Sequence, residues 1–185
     1  MEFELNKRNK TNMKAPKLFL MVVIILTTHA AFAQQPNIKW DQWNFLIGEW
    51  VGEGNGQPGQ GSGTFTFQTD LDGKILVRES FTEFPATANK PASVHKDLLY
   101  IYPDYSGIAL KAIYFDNEGH VINYTITYSE NSITFTSDII PNAPRFRLTY
   151  ISLGTDVVNT KFEFAAPQNP DDFKTYIEGK STRKK

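Results

Sequence analysis

From Ser62 onward, apolar and polar residues alternate in short runs, broken by Gly, Asn, Asp and Pro. A period of two is that of a half-buried β-strand, whose successive side chains point to opposite faces. Residues 62–71 set Phe65 and Phe67 against Thr64 and Thr66. Asp72-Gly73 then reads as a two-residue hairpin turn into residues 74–84. The same pattern predicts strands at 94–102, 108–115, 121–128 and 132–138. A second hairpin, 145–153 with 157–165, surrounds Gly154, and residues 173–180 close the chain. With residues 50–54 as the first strand the count is about ten. Residues 54–63, rich in Gly, Gln and Pro, read as one flexible loop. In residues 38–47 alone do apolar residues (Trp40, Trp43 and Ile47) recur at near-helical spacing, which predicts a short N-terminal helix plugging one end. Successive antiparallel strands with short turns indicate an all-β meander. Closing it into an up-and-down barrel removes the exposed edges.

The first 33 residues follow a different pattern. Lys7, Arg8, Lys10, Lys14 and Lys17 precede an apolar run at 18–26, and Ala31-Phe32-Ala33 supplies the small residues of a cleavage site. This is the pattern of a secretory signal peptide. The run is short for a helix that must cross about 30 Å of hydrocarbon. The expectation is cleavage after Ala33, with Met1 or Met13 as the start, and one exported domain over 34–185. Periplasmic and secreted fates both fit, with no membrane attachment after cleavage.

Composition narrows the chemistry. Cysteine is absent, which removes disulfides, thiol nucleophiles, thiolate metal sites and a lipidated N-terminus. Removing the leader's five basic and two acidic residues from 19 and 20 leaves 14 against 18, a net charge of −4. That argues against nucleic acid and anionic membranes as partners. Arg183-Lys184-Lys185 reads as a solvated tail.

Several side chains are candidates for a site. Counting back from the Asp72-Gly73 turn sets Arg78 opposite Phe67, on the face of Phe65 and Leu76. A guanidinium on an inner wall needs an acceptor, either an acidic ligand or an interior carboxylate. His95 and Asp97 share a strand face, as a structural pair or an oriented base. No third catalytic member is evident: no serine sits in a G-x-S-x-G context, and whether the chain is an enzyme stays open. Arg145 and Arg147 share a face, either as a second anion clamp or as an exposed pair near Glu163. Tyr100, Tyr114, Tyr124 and Tyr128 are candidates for pocket lining or outer-wall packing. Two histidines with scattered carboxylates do not form a recognisable metal site.

The string Gly48-Glu49-Trp50-Val51-Gly52-Glu53-Gly54 resembles the G-x-W-x-G-x-G opening of nitrobindin-like barrels and the Gly-x-Trp of the wider calycin group, lipocalins and fatty-acid-binding proteins. His95-Lys96-Asp97-Leu98, the residues 113–120, Arg145 to Tyr150 and Phe162-Glu163-Phe164 are similar, in order, to an uncharacterised bacterial family of exported lipocalin-like domains. The resemblance implies structural roles for Gly48, Trp50 and Gly52, with Trp50 across the barrel floor. It also implies an interior that receives a small, mostly apolar ligand, where an arginine such as Arg78 anchors an acidic group. Nitrobindins hold haem through a histidine on a late strand, and residues 173–180 contain none; Tyr176 or His95 would have to serve. The leading expectation is a non-enzymatic binder of a small apolar or amphipathic molecule, with no cofactor, through Arg78, His95, Tyr114, Tyr124 and Arg147. The alternatives are a nitrobindin-like haem protein and a filled barrel working through its outer surface.

Overall fold

A computed structural model describes residues 39–52, 61–107 and 109–185. The leader, most of the 54–63 loop and Ile38 lie outside the described residues. Ten strands follow one another: β1 (Gly48–Gly52), β2 (Ser62–Asp70), β3 (Ile75–Phe84), β4 (Ser93–Pro103), β5 (Leu110–Asp116), β6 (Val121–Ser129), β7 (Ser132–Ser137), β8 (Arg145–Ser152), β9 (Val157–Ala165) and β10 (Lys174–Arg183). Each pairs antiparallel with the next, and β10 returns to β1, so the sheet is a closed barrel. The alternation that predicted the strands also sets the wall. Pairs such as Phe67–Arg78, Arg78–Leu99 and Leu99–Tyr114 place every second residue inside.

The hairpin register around Asp72-Gly73 holds, with Phe65 opposite Ser80 and Phe67 opposite Arg78. The last ladder pair is Asp70–Ile75, one step before the expected Leu71–Lys74. Leu71, Asp72 and Gly73 all have positive φ, which curls the loop without shifting its register.

The floor is made by residues before β1. Where a short helix is expected, the chain makes one 3-10 turn, Asp41–Trp43, with no side-chain cap. So short a segment gains little from helical hydrogen bonds, and aromatic burial holds it instead. Trp43 and Leu46 are buried inside the barrel end, and Trp43 packs edge-on to Phe135 with ring centres 5.8 Å apart. The Trp40 indole donates to the Gly73 carbonyl at 2.7 Å. Trp50 is fully buried, donates to the Leu46 carbonyl at 2.8 Å and stacks on Phe65.

Arg183 is not part of a solvated tail. It pairs with Trp50 in the ladder and lies 4.3 Å over the indole. Its guanidinium donates to the carbonyls of Ile47 at 2.5 Å and Phe45 at 3.0 Å. A cation over an indole face, bonded to otherwise open carbonyls, closes the floor. Gly48, at φ +126°, makes room: a Cβ there would meet the Arg183 side chain. Lys184 pairs with Glu49 at 2.7 Å.

Candidate functional site

The barrel interior divides into two halves. Toward the floor, Trp43, Trp50, Phe67, Phe135, Ile101 and Leu76 are buried and fill the space. Toward the other end, inward-facing apolar residues keep contact with solvent. Phe65, Ile122, Phe146 and Phe162 are half-buried, and Ile177 is 45 % exposed. Gly179 faces inward opposite Thr160, and a Cβ there would meet nothing within 4 Å. Among the described residues, the mouth half of the barrel is thus less filled than the floor half.

A polar layer lies between the two halves. Arg78 on β3 forms a buried ion pair with Asp97 on β4 and donates to the Tyr150 hydroxyl at 2.7 Å. Burial opposes the guanidinium charge, but Asp97 and Tyr150 outweigh it, so Arg78 stays protonated. Its Nε has no partner among the described residues, nor does Thr160 Oγ1. The interior carboxylate that Arg78 requires is thus Asp97, which joins it to the neighbouring His95. Asp97 Oδ2 is 3.5 Å from His95 Nε2.

His95 leads from this layer to the rim. Its Nε2 is 3.0 Å from the Tyr114 hydroxyl and its Nδ1 is 3.2 Å from Glu118. The hydrogen bond to Asp97 raises the His95 pKa; partial burial opposes this and Glu118 adds to it. A protonated His95 donates at both nitrogens, which frees Tyr114 to donate to Asp116 at 3.2 Å. Burial first, then Asp97 and Asp116, pushes the Tyr114 phenol upward, so it stays neutral. Asp116 also accepts from the His120 amide and imidazole and from the Glu118 amide, and these bonds outweigh burial and lower its pKa. His120 is exposed.

Tyr124 on β6 is buried beside this layer, and burial pushes its phenol upward. Of the expected site residues, Arg78, His95, Tyr114 and Tyr124 thus meet on the inner wall. Arg147 does not join them. It lies on the outer face opposite Glu163, bound to it through Nε at 2.6 Å and Nη2 at 3.0 Å, with the Phe173 ring 4.2 Å away. Arg145, on the same face, pairs with Asp171 at 2.6 Å. Tyr100 packs on the outer wall against Phe115, and Tyr128 packs against Trp43 in the floor.

Sequence reasoning missed Tyr150, Asp116 and Thr160. Tyr150 carried the period-two signal that places it inside, but nothing in the chain marked it as a partner of Arg78. A concavity of about 550 Å³ lies on the wall of β2–β5, lined mostly by outward residues such as Thr64, Glu79, Phe81, Lys96 and Phe115 and bordered also by Phe65, Ser80, Asp97 and Asp116. Phe81 and Phe115 are 36 % and 37 % exposed there.

The residues do not fit a haem. Both ring nitrogens of His95 have protein partners, and Tyr176, at a register shift in β10, is 68 % exposed. Among the described residues, no group of three or more His, Asp or Glu side chains is placed to hold a metal ion. No protein-family model and no curated protein matches the sequence.

Proposed function

We propose that this chain is an exported, lipocalin-like binding protein that takes a small, mostly apolar or amphipathic molecule into the mouth half of its barrel. The single observation that carries the reading is the less filled mouth half: inward-facing aromatic residues remain accessible above a filled floor, and a Cβ at Gly179 would meet nothing within 4 Å. Apolar walls around a few polar groups are the usual composition of a small-molecule site. The ligand's apolar body lies along Phe65, Phe146 and Phe162, and its polar end meets the layer of Arg78, His95, Tyr114 and Tyr124. Export follows from the leader pattern of residues 1–33. No nucleophile, metal or cofactor is needed for this role.

The test is the binding of N-phenyl-1-naphthylamine, whose fluorescence rises in apolar surroundings. The purified protein is expected to bind the probe, and Gly179→Phe to weaken binding at least about tenfold while the melting temperature holds. A second reading, a surface interaction module, draws on the exposed Phe81 and Phe115 of the outer wall. It gains if the probe binds and Gly179→Phe leaves its affinity unchanged.

A further inference from the structure

We propose that the outer wall of β3–β5 is a self-association surface, on which a second copy of this chain packs face to face about a two-fold axis. The proposal stands apart from the ligand reading, because it uses the opposite face of the same strands. The ladder register places its residues. Glu79 lies opposite Leu98, and Phe81 lies opposite Lys96. All four point outward, because they alternate with the inward Arg78, Asp97 and Leu99. Their Cα positions mark the corners of a cell about 5 by 7 Å. One diagonal of the cell, Phe81 and Leu98, is apolar. The other, Glu79 and Lys96, carries opposite charges. In the next cell, Phe115 lies opposite Leu98 and packs edge-on to Tyr100, an aromatic pair astride the continuation of the apolar diagonal.

A two-fold axis along the apolar diagonal makes this face complementary to itself. The rotation sets Phe81 and Leu98 against their own counterparts. It sets Glu79 of each copy against Lys96 of the other, twice per dimer, and Phe115 against Tyr100. An isologous interface requires this: each residue meets itself, or meets a partner that meets it again in reverse. Both charges are available for the contact. Among the described residues neither Glu79 nor Lys96 has an ion-pair partner, and Lys96 leans over Phe81 with Nζ 5.6 Å from the ring centre. Phe81 and Phe115 remain more than a third exposed. The concavity of about 550 Å³ between these side chains leaves room for those of a facing copy. Its outward charges, one lysine and one glutamate, are not the basic excess that an anionic membrane attracts.

The test is sedimentation velocity across a dilution series, on the purified protein and on two charge variants. The parent is expected to sediment as a dimer when concentrated. Glu79→Lys and Lys96→Glu each set like charges against each other at both contacts, and each should weaken self-association at least about tenfold. Both positions are exposed, so the far-ultraviolet circular dichroism of each variant should match the parent's. Mixed together, the two variants should dimerise again, because only the mixed pair sets a lysine against a glutamate at both contacts. In the parent, dilution should also shift the nuclear magnetic resonance signals of Phe81 and Phe115 and leave those of the inward Phe146 and Phe162 in place. A parent that stays monomeric at every concentration overturns the proposal. So do single variants that dimerise as well as the parent, which would put the contact on another face. A mixture that stays monomeric also overturns it, since the Glu79–Lys96 contact would then not exist.

Discussion

Arg78 and Asp97 are each almost fully enclosed, at 7 % and 5 % side-chain exposure, so neither charge can do without the other. Arg78→Met should strand the Asp97 carboxylate and destabilise the fold by about 3–5 kcal/mol. The double variant Arg78→Met, Asp97→Leu should recover most of that, since an apolar pair of similar volume replaces the ion pair. Chemical denaturation of the three proteins checks this, and a single variant as stable as the parent would contradict it. His95 makes a pH prediction. Its folded pKa lies above its unfolded value of about 6.5. Its contribution is therefore fully present below the unfolded value and fades as pH rises through the raised one. The stability gap between the parent and His95→Gln should be widest in mild acid and narrow above neutrality; a pH-independent gap would refute the assignment. The face of Arg78 was legible because a hairpin turn sets the register of two adjacent strands. Its partner was not. Asp97 is delivered by the irregular β3–β4 connection, whose length no local pattern encodes, and Tyr150 arrives from five strands further round the wall.

Among the elements, the strands were the readable part, because period-two alternation is a local signal and turn residues punctuate it. The floor carried no such signal. Residues 40–47 are held by what Trp40 and Trp43 touch, not by their own backbone pattern. Trp50→Ala should cost about 3–5 kcal/mol, as deletion of a buried large aromatic does, because it removes the Phe65 stack and the seat of Arg183 together. Thermal melting would show it, and an unchanged midpoint would mean the floor does not depend on Trp50. The inward glycines make a sharper comparison. A Cβ at Gly63 would run into the Phe81 carbonyl on β3, whereas one at Gly179 meets nothing. Gly63→Ala should therefore destabilise by about 1–3 kcal/mol through backbone crowding, and Gly179→Ala should stay within about 0.5 kcal/mol of the parent. Equal effects would mean that the two inner positions do not differ in space. The outer-wall position of Arg147 was one of two readings open in the chain. The segment that settles it, ending at Phe173, lies beyond β9 and has no repeating pattern of its own.

At the scale of the whole molecule, closure of β10 onto β1 leaves no free edge, and the floor caps one of the barrel's two ends. Whether the interior is filled or open was undetermined in the chain, since alternation says which residues face inward and not how far they reach across. The answer depends on where large and small side chains fall around the wall. Tryptophan, phenylalanine and leucine crowd the floor half, and Gly179 with half-buried aromatics borders the mouth half. The central claim is that this mouth half, and not the outer wall, receives the ligand. The most direct measurement is a nuclear magnetic resonance titration of the isotope-labelled protein with N-phenyl-1-naphthylamine, following assigned aromatic signals. The account predicts that Phe65, Tyr114, Phe146 and Phe162 shift in a saturable manner while Phe81 and Phe115 stay still. Shifts confined to Phe81 and Phe115, or none at any of the six, would contradict it.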